Sequence, residues 1–159
     1  MSKKIIAMLA TTIVLLTLLI GCGNETVSST QAINIDWDKA IVSTKEDILK
    51  QEKMIQDVFI SVNQDEKTIV ITLACNNAIN QNAAAEAADT AVRRLNANAQ
   101  MQDSSIKSGS KDYWGGIWDT YKLQIGVARK TDVENSDKWL INDLVQPGVQ
   151  GNHKFNGSK

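Results

Sequence analysis

Apolar and polar positions change rhythm several times along the chain, and each rhythm predicts an element. Over 32–42, Ile33, Ile35 and Trp37 alternate with Asn34, Asp36 and Asp38, the period-two pattern of a short strand or extended arm. Ser43 or Thr44 then offers an N-cap, with Glu46 and Asp47 in the first turn where acids favour the helix dipole. Ile48, Leu49 and Ile55 supply a modest apolar stripe, so a helix is expected near 44–56. The β-branched runs 58–62 and 68–74 flank the polar stretch 63–67 and predict a hairpin.

From 80 to 100 the chain becomes alanine-rich. Ala84, Ala88, Ala91, Val92, Leu95 and Ala99 recur at helical spacing and form one face of small side chains suited to close approach to a sheet. Arg93 and Arg94 fall on other faces and are expected in water. Residues 102–112, rich in Ser and Gly, predict a loop. Leu123, Ile125 and Val127 alternate within 121–128 and predict a strand of a second hairpin. The run 139–145 is compatible with strand or helix, and Pro147-Gly148 ends it in either case. The last segment, 150–159, holds few large apolar groups and is expected to be a flexible tail.

The order is α-β-β-α-β-β. An α+β two-layer sandwich, with an antiparallel sheet of about four strands and both helices on one face, buries these stripes most economically. The order resembles that of small periplasmic modules of the BON type, at the level of fold alone.

Ahead of this domain, the chain opens Met1-Ser2-Lys3-Lys4 and runs apolar from Ile5 to Ile20, interrupted only by Thr11, Thr12 and Thr17. A charged start and an apolar core make a secretory signal, and the run is short for a permanent span, which needs about 20 residues. It ends in Leu19-Ile20-Gly21-Cys22, which resembles the lipobox of bacterial lipoproteins. That resemblance covers the leader only. It implies a signal peptide over 1–21, cleavage before Cys22, and a diacylglyceryl group on the Cys22 thiol, with further acylation such as palmitate. Each buried methylene adds about 0.8 kcal/mol to membrane affinity, so two or three chains anchor stably. Residues 22–43 then comprise the lipidated cysteine and a polar tether that includes the expected arm, and 44–149 form the α+β domain. Gly23 is not the Asp associated with inner-membrane retention, so the choice between inner, outer or single membrane stays open.

Composition narrows the function classes. Removing residues 1–21 from 159 leaves 138, enough for one domain that buries somewhat under about 70% of its unfolded surface. Lys3 and Lys4 leave with the leader, so a formal charge of −1 becomes −3. Without a basic stripe, nucleic acid is excluded as an expected partner. With Cys22 lipidated, Cys75 stands alone and has no intramolecular disulfide partner.

Candidate chemistry is sparse. The single histidine, His153, falls in the tail without an expected fixed partner, so triads and zinc sites find no support. Cys75 ends an apolar strand and reads as a core thiol. Asp36-Trp37-Asp38 lacks the glycine and terminal glutamate of a calcium loop, and no phosphate-cradling glycine motif occurs. No metal or cofactor is expected, nor an enzyme. The one local cluster is Tyr113-Trp114-Gly115-Gly116-Ile117-Trp118. Its aromatics either cap the sheet or form a binding site through Tyr113, Trp114 and Trp118. The expectation is a lipid-anchored, non-enzymatic binding or accessory module on the exported face of a cell membrane, its partner an envelope protein or wall component. The alternatives are a small-ligand receptor using 113–118, and a thiol-dependent enzyme through Cys75.

Overall fold

The computed structural model describes residues 33–150 and 153–155. The leader 1–21, Cys22 and the tether up to residue 32 lie outside them, as do 151–152 and 156–159.

Helix α1 spans Trp37–Gln51, which corrects both the arm expected over 32–42 and the helix expected over 44–56. Asp36 is the N-cap, its carboxylate accepting the Lys39 N–H at 3.1 Å. Trp37, Ala40, Thr44 and Ile48 are the buried stripe, a helical period that three accidental alternations at its start had disguised. Thr44 is therefore no cap: inside the helix, its hydroxyl donates to the Ala40 carbonyl at 2.7 Å.

Strands β1 (Ile55–Asn63) and β2 (Thr68–Cys75) pair antiparallel across the expected turn. Asn63 shapes that turn, its Oδ1 accepting the N–H groups of Asp65 and Glu66. Helix α2 spans Gln81–Gln100 behind an Asn80 cap, and its expected face of Ala84, Ala88, Ala91, Val92, Leu95 and Ala99 is fully buried. Strands β3 (Lys122–Arg129) and β4 (Ile141–Val145) form the second antiparallel pair, so the ambiguous run 139–145 is strand over its last five residues. Three short 3-10 turns, Gly116–Asp119, Lys130–Asp132 and Ser136–Lys138, break the connections.

The architecture is α+β, with two helices and one four-stranded sheet in the order β1-β2-β3-β4. The sheet is mixed, which corrects the antiparallel expectation: β2 and β3 run parallel from Thr68↔Lys122 to Cys75↔Arg129. The cause is α2, because a helix that leaves the end of one strand and packs back on the sheet delivers the next strand in the same direction. Local pairing signals specify each hairpin but not how two hairpins join.

Register assigns the two faces. Val58, Leu73 and Val127 stand in one row, with Ile60, Ile71 and Ile125 in the next, all buried. The helices cover this face; α1 packs on α2 and β1, and α2 on β2, β3 and β4. The other face carries Phe59, Gln124, Asn142 and Leu144, all exposed, with the Trp139 ring lying on Gly126. Asp143 breaks the pattern. It stands opposite Ile125 and so on the covered face, at the end of its row on an edge strand.

Both edge strands spend a main-chain donor on a side chain. The Asp57 carboxylate accepts the Val58 N–H in β1, and the Asp143 carboxylate accepts the Leu144 N–H in β4. A donor so occupied is not free for an incoming strand, one way that sheets avoid edge-to-edge pairing.

The start of the described chain is fixed at the C-terminal end of α2. Asp103 Oδ2 accepts the Asn34 N–H at 3.0 Å, and the Gln102 carboxamide bonds both the N–H and the C=O of Asp36. Hydrogen bonds from the Ser105 hydroxyl, then from the Asn34 and Ser105 N–H groups, hold the Asp103 carboxyl below the usual range.

Candidate functional site

The loop after α2 folds back along that helix because Arg93 gathers its carbonyls. The guanidinium donates to Ser110 O, to Tyr113 O at 3.1 Å and to Lys111 O at 3.1 Å, while its Nε pairs with Asp89 at 2.6 Å. Arg93 was expected in water; it is the post around which the aromatic segment turns.

That segment buries its tryptophans. Trp114 and Trp118 are each 2% exposed. Their indole N–H groups are satisfied, Trp114 by Asp89 Oδ1 at 2.7 Å and Trp118 by the Val92 carbonyl at 3.3 Å. Gly115 between them has φ +127°, and a Cβ there would lie 2.0 Å from Asn96 Cγ. Asn96 needs that position, since its carboxamide accepts from Ile117 N–H and donates to the Lys107 carbonyl. Tyr113 is half-buried, and its hydroxyl donates to Asp119 at 2.6 Å. Desolvation and the Asp119 carboxylate push that hydroxyl well above the usual phenol range. The sequence therefore brought the right residues together, but with Trp114 and Trp118 as core anchors.

The tail contributes what sequence reasoning missed. Gln150, 4% exposed, accepts the N–H groups of Trp114 and Gly115 through Oε1 and donates through Nε2 to Gly115 O and Asp119 Oδ1. His153 Nε2 lies 2.8 Å from Asp143 Oδ2. It supplies the partner that an inward-facing carboxylate on an edge strand requires. Phe155 is buried and stacks on Trp114, and His153 meets both rings edge-on. The expected flexible tail is thus corrected at 150 and 153–155. The missed signal was the pair formed by an Asp at an apolar position of β4 and the chain's one histidine.

Between this tail and the first half of α2 lies a cavity of about 650 Å³. Asn82, Glu86, Asp89 and Thr90 line its helix side; His153, Lys154 and Phe155 form the other wall, with Ala85 on the floor. Helical spacing puts 82, 86 and 90 on one stripe, roughly 12 Å long at 1.5 Å per residue. A smaller cavity of about 270 Å³ lies beside it, between Arg93, Gln150 and Lys154. A third, of about 410 Å³, lies at Thr68, Lys122 and Leu144.

Cys75 is fully buried in β2, and burial pushes its thiol up to about 11. At neutral pH it is a protonated hydrophobe. Among the described residues, no group of three or more His, Cys, Asp or Glu side chains is placed to hold a metal ion, and no helix is long and apolar enough to cross a membrane. No family model, curated protein or solved structure matches the chain.

Proposed function

We propose that this is a bacterial lipoprotein, anchored through acyl chains on Cys22, whose α+β domain is a non-enzymatic binding module for an envelope protein or wall component. The observation that carries the binding reading is the cavity between α2 and the tail, where a carboxamide, a carboxylate and a hydroxyl line up along the helix wall. The domain's first described residues attach at the other end of α2, roughly 20–25 Å along the helix from the cavity at 1.5 Å per residue. Support for the anchor is the lipobox-like Leu19-Ile20-Gly21-Cys22.

The small-ligand receptor built on 113–118 has less support, because stacking on Trp114 or Trp118 needs an exposed ring. A nucleophilic Cys75 has less still, being both buried and protonated.

Two measurements test the proposal. Cells expressing the chain are labelled with a clickable palmitate and partitioned in detergent: wild type should carry label and enter the detergent phase, and Cys22→Ser should do neither. Cross-linking the anchored protein in intact cells should then yield an adduct with an envelope protein or wall fragment that Glu86→Arg reduces several-fold. An unlabelled wild type sinks the anchor, and adducts indifferent to Glu86→Arg sink the cavity as the contact site.

A further inference from the structure

Resting on the reading of the domain as a binding module, we propose that the cavity beside α2 takes a neutral saccharide of about disaccharide size bearing hydroxyl and acetamido groups. Three features of the wall select that chemistry. The first is free hydrogen-bonding capacity of both signs: among the described residues, Asn82, Glu86 and Thr90 have no side-chain partner, so the stripe offers a carboxamide, two acceptor oxygens and a hydroxyl. Asp89 is different, since Trp114 and Arg93 occupy its two oxygens, and it acts as a support.

The second feature is charge balance. Of the cavity's two carboxylates, Asp89 is paired with Arg93 from the neighbouring cavity and Glu86 shares the lining with Lys154, while His153 is engaged by Asp143. A phosphorylated or polyanionic ligand would meet the free Glu86 carboxylate, and a compact cation would meet Lys154. An uncharged ligand meets neither penalty. The third is shape. The stripe is about 12 Å long by helical rise, and Ala85, half-buried between its polar side chains, leaves room for the C–H edge of a sugar ring, while Phe155 closes the far wall from its buried place on Trp114. The acetamido group follows from Asn82, whose carboxamide can donate to and accept from a second amide.

The test uses the full-length protein in detergent micelles, titrated with N,N′-diacetylchitobiose and with maltose as the sugar lacking acetamido groups. Calorimetry reads affinity, and amide NMR shifts locate the site. The expected result is saturable chitobiose binding with shifts centred on Ala85, Glu86 and Thr90, and much weaker maltose binding. Asn82→Ala and Glu86→Gln should each weaken binding about tenfold, the loss expected when a ligand hydrogen bond is removed, whereas Gln124→Ala on the far face of the sheet should not. Asn82 and Glu86 are exposed on the helix and Gln124 on the sheet, and an unchanged NMR spectrum elsewhere verifies folding. No shift in α2 at saturating sugar overturns the inference, as does binding insensitive to Asn82→Ala and Glu86→Gln. If chitobiose is silent while an envelope protein is captured in a Glu86-dependent way, the saccharide is wrong and the binding module stands. If neither depends on this stripe, both fall.

Discussion

The ring of Phe155 lies parallel to that of Trp114, with 5.0 Å between centroids and 3° between planes. A residue near the end of the sequence thereby seals the indole that Asp89 holds from beneath. Phe155→Ala should cost about 2–3 kcal/mol, at the low end for an aromatic truncation because the tail can partly relax. Trp114 would gain water, so the tryptophan emission should shift to the red in the folded protein. Unchanged emission would mean that the ring is protected without Phe155.

Gln150 concentrates four hydrogen bonds in one buried carboxamide. Gln150→Ala leaves the N–H groups of Trp114 and Gly115 without their acceptor, a loss of roughly 2–4 kcal/mol. Gln150→Glu retains an acceptor but replaces the donor that faces Asp119 at 2.8 Å with a second carboxylate. Chemical denaturation should find this variant weakened at pH 7 and partly recovered on acidification, where one of the two carboxyls takes a proton.

Gly115→Ala is expected to be among the most harmful single-methyl additions. It combines a left-handed backbone with a Cβ set into the Asn96 carboxamide, a strain of about 2–4 kcal/mol. Thermal melting would register it. Gly148 has φ +76° but open space around its Cβ position, so Gly148→Ala should cost only about 1 kcal/mol of backbone strain. Equal losses at the two sites would refute the role given to Asn96.

The Cys75 thiol is shifted from an ordinary 9.0 up to about 11 in the fold. The native protein therefore holds its proton more tightly than the unfolded chain does. Its contribution to stability is complete below about pH 9 and declines as pH rises toward 11, by about 2–3 kcal/mol in all. Cys75→Ala should lack this component of alkaline sensitivity. The native thiol should also resist a disulfide reagent at pH 8 until denaturant is added.

Much of the fold was legible because it rests on local periodicity. The alanine face of α2 could be read residue by residue, the first hairpin stood out through its β-branched runs, and β3 through the alternation of Leu123, Ile125 and Val127, whereas 139–145 is compatible with strand or helix until its pairing with β3 is seen. What escaped depended on distant partners. Helix α1 begins at Trp37 because Ala40, Thr44 and Ile48 find α2 and β1, a fact that the alternation of Ile33, Ile35 and Trp37 does not contain. The parallel seam between β2 and β3 is a property of the crossover. At the site, the aromatic cluster was visible as composition, but its burial followed from Arg93, Asn96 and Gln150, three polar residues whose partners in the loop lie between 11 and 36 positions away. The cavity was invisible, since its two walls are a helix surface and a tail whose composition predicts no fixed structure.

The parallel seam also sets a schedule. As the chain emerges from its N-terminus, β1 can zip onto β2 at once, but the other flank of β2 must wait until β3 exists, after α2 and the whole aromatic loop. During that interval β2, an interior strand of the finished sheet, is an open edge of Thr, Ile and Val. The edge aspartates at 57 and 143 guard only the completed margins, so this interval is when the protein is most exposed to pairing with another chain. An encounter in that interval joins half-made molecules through a flank that the mature one keeps covered by β3.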